Sequence, residues 1–69
     1  MGTRTINTRL QVALAERGIS QRQLARDLGY DPSLISKVIR GWERPGTQLT
    51  EDVAGYLGES VEDLFAWLP

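Results

Sequence analysis

Neither cysteine nor histidine occurs in these 69 residues. Without cysteine no disulfide can staple so short a chain, and without either residue a zinc site of the usual kind is excluded. The same two absences remove the commonest acid–base group and the commonest strong nucleophile, which argues against catalysis. Carboxylates remain. Glu51, Asp52, Glu59, Glu62 and Asp63 fall where helix first turns or solvated faces are expected, so no catalytic role is assigned to them. No cofactor is expected. Long apolar runs are missing too, which argues against a membrane span, and the polar opening, residues 1–8, does not read as a secretory signal. The lack of cysteine fits a reducing cytoplasm. Strand-like alternation of period two is scarce.

What is present is enough for one helical domain, expected to span residues 1–69. Apolar residues make up 41% of the chain, sufficient for a core built by helix packing, although a domain this small buries a modest share of its surface. The net charge is −1, an unpromising total for a partner of polyanions until it is divided. All eight basic residues (Arg4, Arg9, Arg17, Arg22, Arg26, Lys37, Arg40 and Arg44) lie before position 45, against Glu16, Asp27, Asp31 and Glu43. Residues 1–44 therefore carry +4 and residues 45–69 carry −5. A basic front and an acidic back orient a protein on a polyanion even when the totals cancel.

Apolar residues recur at three and four, and the pattern predicts five helices. The first covers about residues 5–17, with Ile6, Leu10, Ala13 and Leu14 on one face and Gly18 as a left-handed stop. Ser20 caps the second, Gln23 completes a capping box, and Ile19 and Leu24 occupy the hydrophobic-staple positions. Its buried face is Leu24, Ala25 and Leu28, and Gly29 ends it. Asp31 as cap and Pro32 at the first helical position open the third, which runs to Arg40 before Gly41. Residues 42–46 form a loop containing Pro45. The fourth lies within residues 47–57 and buries Leu49, Val53, Tyr56 and Leu57. Ser60 with Asp63 opens a fifth, burying Val61, Leu64, Phe65 and Leu68.

On a helical wheel the third helix divides in two. Leu34, Ile35, Val38 and Ile39 fill one half, whereas Pro32, Ser33, Ser36, Lys37 and Arg40 fill the other. The polar half has two cations, two hydroxyls and no acid, unlike the mixed signs of an ordinary solvated face. Such a helix can enter a major groove and meet phosphates and base edges. Helices two and three are joined by three or four residues including a glycine. That is the arrangement in which one helix crosses the DNA backbone and the next lies in the groove.

Residues 20–41 closely resemble the phage repressor and Cro (Xre-type) helix-turn-helix family. The resemblance is carried by Ile19-Ser20-Gln21, Leu24-Ala25, Leu28-Gly29, Ile35-Ser36-Lys37, Arg40-Gly41 and Pro45. Ala54, Leu57-Gly58, Ser60 and Leu64-Phe65 then match the family's last two helices. It implies an all-α, compact five-helix lambda-repressor-like domain, a double-stranded DNA partner and a bacterial or phage-encoded regulator working in the cytoplasm. By position it implies base contacts from Pro32, Ser33, Ser36 and Lys37, and phosphate contacts from Gln21, Arg22, Arg40 and Arg44. Homodimers in the family form through the C-terminal end of the domain, which points to Trp67 and Leu68, with Trp42 a second candidate. Regulators of this kind often carry a further sensing or oligomerising domain, for which these 69 residues leave no room.

Three departures from the family pattern stand out. Relatives often pair an Arg in the first helix with a Glu late in the third, where this chain has Leu14 and Ile39, an apolar pair in place of an ionic one. Pro32 cannot hydrogen-bond a base, which leaves reading to Ser33, Lys37 and DNA shape. Trp42 replaces a small or basic residue, and fits a cover for the core, a partner contact or a contact to the sugar-phosphate backbone. Trp67 reads either as an exposed aromatic at a helix end or as a dimer contact. The leading expectation is an operator-binding repressor, dimeric on DNA. An antitoxin that binds DNA and a toxin is a near alternative, and a protein-interaction module without DNA binding is a distant one.

Overall fold

Asn7 starts the first helix. Its side-chain Oδ1 accepts the Leu10 amide at 3.0 Å, its backbone is non-helical, and the helix proper, α1, runs Thr8–Glu16. The computed structural model describes residues 6–65. Four more helices follow: α2 (Gln21–Leu28), α3 (Pro32–Ile39), α4 (Thr47–Leu57) and α5 (Val61–Leu64). No strand occurs among the described residues. The order and number of helices agree with the sequence pattern.

The boundaries from Gly18 onward agree because their signals are local. Ser20 Oγ accepts the Gln23 amide at 3.0 Å, Asp31 Oδ1 accepts the Ser33 amide at 2.8 Å and Ser60 Oγ accepts the Asp63 amide at 3.1 Å. Each satisfies a first-turn donor that has no carbonyl one turn earlier. At the other ends Gly18, Gly29, Gly41 and Gly58 have positive φ. Gly29, at φ +81°, has open space where a Cβ would stand, so its backbone angle and not crowding selects glycine.

One core serves all five helices. It comprises Leu10, Ala13 and Leu14 of α1, Leu24 and Ala25 of α2, Ile35, Val38 and Ile39 of α3, Leu49, Val53, Ala54 and Leu57 of α4, and Leu64 and Phe65 at the end. Ile19, Leu28, Tyr30, Leu34 and Val61 pack around it, partly buried. Leu14 and Ile39, the two positions that depart from an ionic pair, are both buried in this cluster. The most extensively packed pair is α2 with α3.

Two expected core residues lie elsewhere. Ile6 is 53% exposed, because the cap at Asn7 leaves it outside the helix whose wheel placed it inward. Tyr56 is 37% exposed. Its ring reaches across α4 so that its hydroxyl donates to Asp27 on α2, since a phenol hydroxyl needs a partner that the core lacks. The first helix also starts later than its apolar pattern suggests, at Thr8. Leu68, expected in the core, lies outside the described residues.

Candidate nucleic-acid interface

The third helix divides as its wheel requires. Ile35, Val38 and Ile39 are essentially fully buried, with Leu34 partly so. Pro32, Ser33, Lys37 and Arg40 are exposed and Ser36 is half-buried. Asp31 stands at the start of this face. Its carboxylate is turned to the Ser33 amide, so the acid complements the helix N-terminus. The polar half of α3 thus presents hydroxyls and cations over two turns.

Three residues, Gly29 to Asp31, join α2 to α3. The Gly29 amide donates to Arg26 and the Tyr30 amide to Ala25 at 2.8 Å, which folds the turn onto the end of α2. Tyr30 then braces the turn from outside, its hydroxyl donating to Asp52 of α4 at 2.7 Å. Gln48 donates to the other oxygen of Asp52 at 2.9 Å. A second pair runs the opposite way, from Tyr56 on α4 to Asp27 on α2. Both phenols are held above their ordinary value of 10.0, first because each gives its hydrogen to a carboxylate, then through desolvation and the carboxylate's charge. Gln23 opposes the shift at Tyr56 by hydrogen-bonding its oxygen.

Gln21 and Arg22 open α2, Gln21 half-buried and Arg22 exposed. The Gln23 amide of that first turn is taken by Ser20, while the Gln21 and Arg22 amides point along the helix axis without a carbonyl one turn earlier, and a phosphate can accept from them. Arg44 is exposed in the segment after α3, ahead of the buried Pro45. The expected phosphate and base residues therefore sit on the bihelical unit and the turn that follows it. Trp42 is 64% exposed in that same turn. Trp67 and Leu68 lie outside the described residues.

The basic front is narrower than the charge count suggests. Arg17 donates to the carbonyls of Ala13 and Leu57 and forms an ion pair with Glu59 at 2.8 Å, joining α1 to the end of α4. Arg9 lines a cleft with Thr8, Val12, Ala13, Glu16, Glu59 and Leu64, between α1 and α5 and away from α3. Among the described residues, Arg22, Arg26, Lys37, Arg40 and Arg44 remain, all exposed and all on α2, α3 or the segment that follows α3. Of the carboxylates, Asp52 and Glu59 are engaged in these contacts, while Glu62 and Asp63 occupy the first turn of α5, as expected. No group of acidic residues able to hold a metal occurs among the described residues. None of the described helices is long and apolar enough to cross a membrane.

Two packed helices around a three-residue turn, the second with its cationic face outward, define a DNA-reading domain. Residues 10–64 match the family model described as helix-turn-helix. The chain belongs to that family, of the Cro and phage-repressor type that its residues resemble. No curated protein matches the chain. Membership makes duplex DNA the class of partner and transcriptional regulation the class of function, in a family whose members are typically not enzymes.

Proposed function

We propose that the protein is an operator-binding repressor that lays α3 in the major groove of a palindromic duplex. The observation that carries this reading is the acid-free outward face of α3, set opposite three buried apolar residues of the same helix. Lys37 donates to guanine O6 or N7, and Ser33 and Ser36 bond less selectively. Pro32 offers ring carbons only, a surface for a thymine methyl. Gln21, Arg22, Arg40 and Arg44 hold phosphates on either side and fix the register of the helix.

Two copies bind together, their recognition helices about one DNA turn, roughly 34 Å, apart. The acidic C-terminal third faces away from the phosphates, and Trp67 with Leu68 forms the contact between copies. Selection of bound sites from a random-sequence duplex pool, followed by sequencing, tests the whole reading. Recovery of a palindrome with half-sites one turn apart is the expected result. Binding that recovers no common sequence, or that does not weaken steeply with salt, would refute it.

A further inference from the structure

Four helices end in the same backbone pattern. After each, a glycine at positive φ is followed by a residue whose amide donates to the carbonyl five positions earlier. These are Ile19 to Leu14 at 2.9 Å, Tyr30 to Ala25 at 2.8 Å, Trp42 to Lys37 at 2.8 Å and Glu59 to Ala54 at 3.0 Å. The residue in that position commonly turns its side chain back over the last turn. Ile19 and Tyr30 pack on the core, and Glu59 pairs with Arg17. Trp42, in that position after α3, is 64% exposed, the most exposed large hydrophobic side chain among the described residues.

Its position narrows what it meets. The Lys37 carbonyl accepts the amides of both Trp42 and Glu43, at 2.8 and 3.2 Å, so the turn is held against the end of α3. On the wheel Lys37 marks one border of the polar half, and it is to the carbonyl of this residue that the Trp42 amide is tied. Within five residues of it in sequence, Lys37, Arg40 and Arg44 are all exposed, with Glu43 the one acid in that stretch. An exposed apolar ring in a cationic stretch of chain suits duplex DNA, whose phosphates are separated by apolar deoxyribose edges.

We propose that Trp42 anchors the domain on duplex DNA by packing its indole against the deoxyribose edge of the strand that borders the α3 groove. The proposal rests on α3 being the reading helix. It gives binding a component that does not arise from counterion release and so does not respond to salt.

The test is duplex affinity against salt concentration, on a site recovered from the random pool and on a single half-site. Trp42→Ala should weaken binding to both about tenfold at every salt concentration, the factor expected from uncovering about 50 Å² of ring surface. The salt slope should stay parental, whereas Arg40→Ala should lower it by about one. Trp42→Phe should retain most of the affinity. Trp42→Lys should steepen the slope and bind worse than the parent at high salt. In a Trp67→Phe background Trp42 is the remaining indole, and its emission should change when the single half-site duplex is added, where no contact between copies is involved. These readings decide the matter even if the alanine variant folds poorly. Parental affinity of Trp42→Ala at every salt, alongside a loss for Lys37→Ala, overturns the proposal and leaves the reading helix intact. Loss confined to the two-half-site duplex also overturns it, by moving Trp42 to a contact between copies. Failure of both Lys37→Ala and Arg40→Ala to weaken binding overturns the assignment of α3 itself.

Discussion

Asn7 ties three elements together through one small side chain. It is 1% exposed, and while Oδ1 caps α1, Nδ2 donates to the Leu64 carbonyl at 2.8 Å and the backbone amide donates to the Ile39 carbonyl, also at 2.8 Å. Truncating it removes a cap and strands a buried carbonyl. Asn7→Ala should therefore cost about 2–4 kcal/mol, and Asn7→Ser, which keeps the cap, should recover part of that. Urea denaturation gives both values, and equal midpoints for parent and alanine variant would show that the cap is dispensable. Lys37 and Arg40 pose the opposite case, exposed side chains whose removal leaves the core untouched. Lys37→Ala should lose about 1–3 kcal/mol of duplex binding and relax preference at one base pair. Arg40→Ala should lose affinity for all sequences alike. Thermal melts of both should match the parent.

At the scale of the element, α4 acts as a brace for the reading unit. Tyr30 and Tyr56 hydrogen-bond across the α2–α4 contact in opposite directions, and both keep their protons above the ordinary value of 10.0. The folded state therefore retains a proton that the unfolded chain gives up first. The stabilisation is complete below that value and is lost as pH rises through the raised folded values. The melting temperature of the parent should fall above pH 10.0, and a Tyr30→Phe, Tyr56→Phe double variant should fall less steeply there. Equal slopes would mean that the two phenols titrate alike in the folded and unfolded states.

The packing of α1 against α3 offers a second test of elements. Leu14 and Ile39 are buried in one cluster, and Leu14→Ala should cost about 2–5 kcal/mol, a large share of a small domain's stability. Leu14→Arg and Ile39→Glu should each be severe alone. Combined, they should recover more than the sum of the singles allows, as residues in contact do. Strict additivity in denaturation would place them out of reach of each other.

For the whole molecule the open quantity is assembly. One helix and a few phosphates give a single domain limited affinity, and linkage of two copies on one duplex raises it without new DNA contacts. On the proposed reading, Trp67→Ala abolishes cooperative occupation of a two-half-site duplex and leaves single half-site binding nearly unchanged. Band-shift titrations on the two duplexes measure this directly. An equal loss on both would point to a folding defect, and no loss on either would move the interface elsewhere.

The chain by itself determined the number and order of the helices, the limits of α2, α3 and α4, and the start of α5. Caps at Ser20, Asp31 and Ser60 and glycine stops act within a turn, so their physics is complete in a few neighbouring residues. The division of α3 was legible for the same reason, because a helical wheel is a local object. The start of α1 was placed too early since Ile6 continues its apolar period, and only the finished core shows Asn7 donating to the Leu64 and Ile39 carbonyls. Tyr56 was misread because its partner, Asp27, is 29 residues away. Arg17 counts as a cation in the sequence but is committed to Glu59, 42 residues on. The exposure of Trp42 belongs here as well, since its neighbours in sequence do not say whether the core will cover it. Contacts between distant residues arise when helices pack, and which polar groups they bring together depends on tertiary geometry that no local pattern encodes.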